Sequence, residues 1–260
     1  MGKKATGHFG LCSISFRAMG RRAVIDAAAA AGLDCIEWGG DIHAPPSVGE
    51  ATLRAIGDAS RDAGLSVPSY GSYHRLGHSD PGELPGLMAA AKALGARIIR
   101  VWAGAHGSAE CSAEERGSVV AATRHAAALA AREGLMISFE CHPNTLTDDP
   151  ESALDLLSAA PCEHLGMHWQ PNQYHDEEWN ANYAAAVSQR VLAIHVFNWS
   201  IGSGGDVVRN PLADGAAAWR RYLALLPQAA PRLLEFMPGD DKALLPGESA
   251  ALRSFGGDAT

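Results

Sequence analysis

SAEERGSVVAATRHAAALAAREGLMISFECH, residues 112–142, contains one full unit of the pattern that decides how this chain folds. Its first part is rich in Ala, Glu, Arg and Leu, good helix formers, behind a Ser112 suited to an N-cap. Gly134 stands where a left-handed residue would stop that helix. The run LMISF that follows is short and apolar, and it ends on a carboxylate, Glu140, with His142 two residues on. Helix, glycine stop, buried strand and polar end, in that order, predict a strand-helix repeat and a parallel sheet with its chemistry at the strand C-termini.

The order recurs along the whole chain. Strand candidates are FGLCSI near residue 9, DCIEW near 34, LSVPSYGSY near 65, RIIRVWA near 97, LMISFE near 135, HLGMHWQ near 164, VLAIHVFNW near 191 and RLLEFM near 232. Between them, RRAVIDAAAAAG, ATLRAIGDASRDAG and DPESALDLLSAA carry helical periodicity, and Gly32, Gly64 and Gly95 repeat the stop just before a strand. Eight such units in 260 residues predict an α/β fold, a single (β/α)₈ TIM barrel domain over 1–260 with about 1–7 and 255–260 frayed. WSIGSGGDVVRN, after the seventh strand, reads as a glycine-rich rim loop able to act as a lid.

Composition narrows the function classes. With 47% hydrophobic residues there is enough apolar surface for a continuous core, and a net charge of -8 gives no basic footprint for nucleic acid. Five scattered cysteines form no CxxC pair, which fits a reducing cytoplasm. The start MGKKATGHFG has no apolar signal core, and no apolar run approaches membrane-spanning length, so neither export nor a membrane partner is expected.

Polar residues interrupt four consecutive apolar strands, and strand ends line the bowl of a barrel. The fifth ends in Glu140 and His142, the sixth holds His168 and Gln170, the seventh His195 and the eighth Glu235. Each alone has an ordinary explanation, a solvated carboxylate or a hydrogen-bonded core histidine. Together they make an oxygen and nitrogen set suited to one divalent metal ion, with Mn²⁺ the first choice among Mg²⁺, Co²⁺ and Zn²⁺. Buried carboxylates after LMISF and RLL would otherwise lack a counter-charge.

These residues resemble the sugar phosphate isomerase/epimerase group of xylose isomerase-like barrels, which includes ketose 3-epimerases, inosose dehydratases and endonuclease IV relatives. The carrying motifs are GLDCIEW, ISFECH, GMHWQPNQ, AIHVFN and LLEF. The resemblance implies Glu140, His195 and Glu235 as metal ligands and His142 near the substrate. It allows a homo-oligomer. Where the family's sixth strand usually presents Asp and, three residues later, His, this chain has Gln170 and Gln173. Gln170 is therefore the expected fourth ligand, through its carbonyl, with His168 as the alternative. Asn198 replaces a residue that is charged in many relatives.

The expected activity is a divalent-metal-dependent isomerase or epimerase acting on a keto-sugar or related polyol. Carboxylates, Glu140 and Glu235, would move the proton through a metal-stabilised enediolate, with His142 assisting. The alternatives are a dehydratase or lyase that eliminates from a keto-cyclitol, keto-sugar or glycoside, and a non-catalytic sugar-binding barrel. Glu37, His43 or His74 could serve as a further acid. Candidate substrate contacts are His74, Arg100, Trp102, His168, Gln173, Asn198 and Trp38, with Tyr70, Tyr73, Trp169, Phe197 and Trp199 as further wall or core aromatics. Arg100, inside an apolar strand, suits a substrate anion or a buried acid, and Arg209 is a weaker candidate. The small-molecule partner is thus a sugar or cyclitol.

Overall fold

The computed structural model describes residues 9–255, so the expected frayed ends lie outside the described residues apart from Phe255. Eight parallel strands close into a barrel: β1 (Phe9–Cys12), β2 (Cys35–Gly39), β3 (Ser69–Leu76), β4 (Ile98–Ala103), β5 (Met136–Glu140), β6 (Leu165–Trp169), β7 (Val191–Val196) and, last in the chain, β10 (Arg232–Leu234). β10 pairs with both β7 and β1 and completes the ring. Around it run α1 (Arg21–Ala30), α2 (Glu50–Asp62), α3 (Leu84–Leu94), α4 (Ala113–Glu133), α5 (Pro150–Ala159), α6 (Glu177–Val187), α7 (Ala216–Leu225) and α8 (Leu245–Phe255). Among the described residues no helix is long and apolar enough to cross a membrane.

The helix ends follow local chemistry. Ser112 and Glu115 form a reciprocal capping box at the start of α4. Asp149 and Asp176 accept backbone N–H bonds at the starts of α5 and α6. Gly95 and Gly134 close α3 and α4 at φ 85° and 68°, a region that L side chains avoid.

Alternation along each strand then divides the molecule into two apolar layers. Ile137, Phe139, Met167, Trp169, Ile194 and Leu234 face outward into the main core beneath the helices. Cys12, Cys35, Ala193 and Leu233 form a separate small cluster inside the barrel. Burying an outward side chain such as Phe139 stabilises the fold by about 1.5–3 kcal/mol. The interior is tight enough that a Cβ on Gly10 would come 2.4 Å from the Cys35 sulfur.

Two segments differ from expectation. The glycine-rich loop after β7 is a small antiparallel hairpin, β8 (Trp199–Ile201) paired with β9 (Val207–Arg209). The third strand starts at Ser69, later than LSVPSYGSY suggested, and its pairing with β4 shifts register between Gly71 and Arg75.

Candidate metal and acid-base site

Inward positions of the strands bring the polar residues to one end of the barrel. His195, completely buried, is their hub. Its Nδ1 lies 3.2 Å from Gln170 Oε1, 3.4 Å from Glu140 Oε1 and 3.5 Å from Glu235 Oε2. One ring nitrogen can hydrogen-bond well to only one of these oxygens, which leaves the others without a donor there. A divalent first-row cation with bonds of about 2.1 Å separates neighbouring ligand atoms by about 3.0–3.4 Å. Each of the three oxygens lies at about that spacing from Nδ1, but Glu140, His195 and Glu235 are not among the trios whose ligand atoms all lie within 4.8 Å of one another, so the two carboxylates would close on an ion as it binds. Glu37, Glu140 and Glu235 face the buried Arg100 guanidinium, and although burial opposes it, Cys12, Glu235 and Glu37 hold the His195 pKa well above its usual value.

The two carboxylates at Nδ1 are not equivalent. Glu140 Oε2 is ion-paired with Arg100, 2.9 Å from Nη1, and accepts a hydrogen bond from Trp102 Nε1. Burial alone would raise its pKa, but Arg100 and His195 hold it well below the usual carboxylate range. Glu235 has no such clamp, and burial, reinforced by the charge of Glu140 and opposed by His195, pushes it up to about 7. The next residue, Phe236, sits at φ 55° with its N–H donated to Ser15 Oγ at 2.8 Å, a strained backbone position beside the site.

Beneath the hub is a second set of polar groups. Glu37 Oε1 lies 3.3 Å from His195 Nε2, and Glu37 Oε2 accepts from Ser69 and from His168 Nε2 at 3.1 Å. His168 Nδ1 in turn meets Ser138 Oγ at 2.6 Å. Glu37, His168 and His195 also come close enough to form a ligand triad. Glu37 and His168 are nevertheless already hydrogen-bonded, whereas the oxygens at Nδ1 have acceptors to spare. Only the latter set opens onto a cavity, of about 250 Å³, lined also by Tyr73, Arg100, Trp102, His142, Gln173 and Trp199. A larger groove of about 440 Å³ lies on the outer wall between α2, α3 and α4, far from the strand ends.

His142 stands at this cavity with its ring against Trp102, centroids 5.1 Å apart. Its Nδ1 lies 2.6 Å from the Pro143 carbonyl oxygen, which can only accept, so Nδ1 carries a proton and Nε2 is the lone-pair nitrogen of the neutral ring.

The structure therefore brings together Glu140, Gln170, His195 and Glu235, with Arg100, Trp102, His142 and Gln173 along the same cavity. Other expected contacts do not reach it. Trp38 faces outward, fully buried, and its indole donates to Ser60 on α2 at 3.1 Å. His74 pairs with Glu83 and shares strand parity with the outward Tyr70, whereas Tyr73, of the same parity as Ser69 and Gly71, lines the cavity. His168 lies under the floor, hydrogen-bonded to Ser138 and Glu37. Asn198 donates to the Pro211 carbonyl and lines a neighbouring pocket. His43 is held by Ser13 and the Met19 carbonyl, and Arg209 by Asp240. Tyr70 and Trp169 are core residues.

The sequence reading offered Glu37 only as a further acid and missed Ser69, Ser138 and Gly71 around it. A signal existed: Glu37 shares strand parity with Cys35, and Trp38 has the opposite one. Gly71 is required by space, because a Cβ there would lie 2.8 Å from Glu37 Oε1 and 3.0 Å from Arg100 Nη2.

A family model described as xylose isomerase-like TIM barrel matches residues 25–235. A 3-dehydroshikimate dehydratase of Bacillus anthracis is 39% identical over 70 residues, 27% of this chain, and the match spans 25% of that relative's length. A crystal structure of the probable 3-DHS dehydratase involved in petrobactin synthesis, also from Bacillus anthracis, superposes with a TM-score of 0.80 at 23% identity, covering 95% of this chain and 98% of the other. D-allulose 3-epimerase from Methylomonas sp. gives a TM-score of 0.72 at 18% identity, with coverage of 98% and 100%. A xylose isomerase-like TIM barrel protein from Mycobacterium smegmatis, in complex with magnesium, gives 0.74 at 14% identity, covering 98% of each chain. At these identities the superpositions speak for the fold.

Proposed function

We propose that this chain, which belongs to the xylose isomerase-like TIM barrel family, is a divalent-metal-dependent dehydratase that eliminates water from a polyhydroxylated keto substrate of the cyclitol type, such as 3-dehydroshikimate. The carrying observation is the division of labour among the acids and bases at the cavity. Glu140 has one oxygen held by Arg100 and Trp102 and the other 3.4 Å from His195 Nδ1, whereas His142 Nε2 has no partner among the described residues. One free base suits elimination, while epimerisation needs two proton carriers on opposite faces of the substrate.

Glu140, Gln170, His195 Nδ1 and Glu235 would hold the metal ion. When bound, a divalent cation there supplies Lewis-acid polarisation of the substrate carbonyl. His142 Nε2 takes the proton from the carbon next to that carbonyl. The C–H bond and the C–O bond of the neighbouring hydroxyl break, a C=C bond forms, and the proton on Nε2 leaves with the hydroxyl as water. Arg100 keeps Glu140 ionised and fixed, and Trp102 holds the His142 ring in place through its face. The dehydratase names among the relatives agree with this reading.

A second reading, an epimerase or isomerase of keto-sugars, is favoured by the unclamped Glu235 carboxyl and by the epimerase among the structural relatives. Incubating the Mn²⁺-loaded protein with 3-dehydroshikimate, and separately with a ketose in deuterated water, decides between them by mass spectrometry. Loss of one water from the cyclitol supports the dehydratase. Deuterium uptake and a new ketose isomer without water loss refute it in favour of the second reading.

A further inference from the structure

Cys12 is buried at the end of β1 and has no part in the chemistry above. Its sulfur lies within 4.8 Å of ligand atoms of His195 and Glu235, and these atoms are equally close to one another. Its sulfur donates to Glu37 Oε1 at the long distance of 3.9 Å and also lies against the His195 ring. The His195 side chain has no exposure, and its Nε2 has no hydrogen-bond partner of good geometry, Glu37 Oε1 lying off its axis at 3.3 Å. A thiol, an imidazole and a carboxylate thus share one small buried volume and satisfy one another poorly.

We propose that Cys12, His195 and Glu235 form a site for a soft divalent cation, Zn²⁺ or Cd²⁺, which draws Glu235 and the His195 ring away from the Mn²⁺ site and so competes with Mn²⁺. The donor set is one that soft and borderline metals select: a thiolate and an imidazole hold Zn²⁺ and Cd²⁺ tightly and offer little to Mn²⁺ or Mg²⁺. Zn²⁺ with bonds of about 2.3 Å to sulfur and about 2.0 Å to nitrogen holds ligand atoms about 3.5 Å apart. The three side chains therefore need to close by about an ångström, within reach of small rotations. Binding breaks the Sγ–H bond, releases the proton to solvent and forms the Sγ–metal bond, with no change of oxidation state. Glu235 borders the cavity, so the cation enters by the route that substrate uses. Soft metals then switch off the site that Mn²⁺ supports, and this last step rests on the function proposed above.

Cd²⁺ alone, titrated into the intact protein, is the probe. One equivalent should generate the ultraviolet charge-transfer absorption of a cadmium-thiolate bond. Cys12→Ser should abolish it, while the double variant Cys111→Ser with Cys162→Ser, which removes the partly exposed thiols, should keep it. In the Mn²⁺-loaded protein, Cd²⁺ should release Mn²⁺ one for one, read as free Mn²⁺ by electron paramagnetic resonance. Cys12→Ser should weaken Zn²⁺ binding by at least about tenfold and Mn²⁺ binding by less than about threefold, as a lost soft ligand requires. Circular dichroism checks its fold, and Cys12→Ala is the replacement if the serine variant does not fold. A band that is absent from the wild type, survives in Cys12→Ser or develops without loss of Mn²⁺ overturns the proposal. A protein that never bound Mn²⁺ but showed a Cys12-dependent band would sink the dehydratase reading and leave the soft-metal site standing.

Discussion

His195 meets Glu37 through one ring nitrogen and the oxygens of Glu140, Gln170 and Glu235 through the other, with Glu37 Oε1 3.3 Å from Nε2. The imidazole therefore bridges a buried carboxylate and the cavity. Glu37 Oε1 lies off the Nε2 axis and acts on the ring through its charge, and a carboxylate behind a histidine makes the opposite nitrogen a better ligand. Glu37→Gln should leave the fold intact and weaken Mn²⁺ binding by about 10–100-fold. Isothermal titration of the variant checks this, and unchanged affinity would remove Glu37 from the support of the site.

Arg100 is buried against Glu140, and removing one member of a buried ion pair strands the other. Arg100→Met should destabilise the metal-free protein by about 3–5 kcal/mol. Saturating Mn²⁺ should recover part of that loss, because the cation replaces the missing positive charge beside Glu140. Urea unfolding with and without Mn²⁺ measures both effects; an equal loss in the two conditions would mean that the metal does not contact Glu140.

His142 offers the free base at the cavity. His142→Asn should lower kcat for water loss by about 10²–10⁴-fold, the usual contribution of a general base. Mn²⁺ affinity should stay within about threefold, because no ligand is lost. A large drop in metal affinity with kcat retained at saturating metal would make His142 a ligand and leave the base unassigned.

Trp38 belongs to the helix layer, with its indole bonded to Ser60. Trp38→Phe should cost about 1–3 kcal/mol of stability through the lost hydrogen bond and packing. The KM for substrate should not move. A changed KM at unchanged stability would return Trp38 to the substrate contacts expected from sequence.

Much of this architecture was legible in the sequence because the governing physics is local. Ala-rich helices stopped by Gly32, Gly64, Gly95 and Gly134, all at positive φ, alternate with short apolar strands, and that alternation is the barrel. The convergence of Glu140, Gln170, His195 and Glu235 was also readable, since each interrupts an apolar strand near its C-terminal end. What escaped depends on parity and packing. His74 shares the parity of the outward Tyr70, and it is Tyr73 that reaches the cavity. Glu37 was passed over beside the larger Trp38, although period-two alternation sends the two to opposite faces. The hairpin of β8 and β9 lay hidden in a glycine-rich run because its strands are only three residues each.

Anomalous diffraction at the manganese edge, from crystals grown with Mn²⁺, tests the central arrangement most directly. A single peak within bonding distance of Glu140, Gln170, His195 Nδ1 and Glu235 is the expected result. A peak between Glu37 and His168, or no peak near His195 at all, would contradict it.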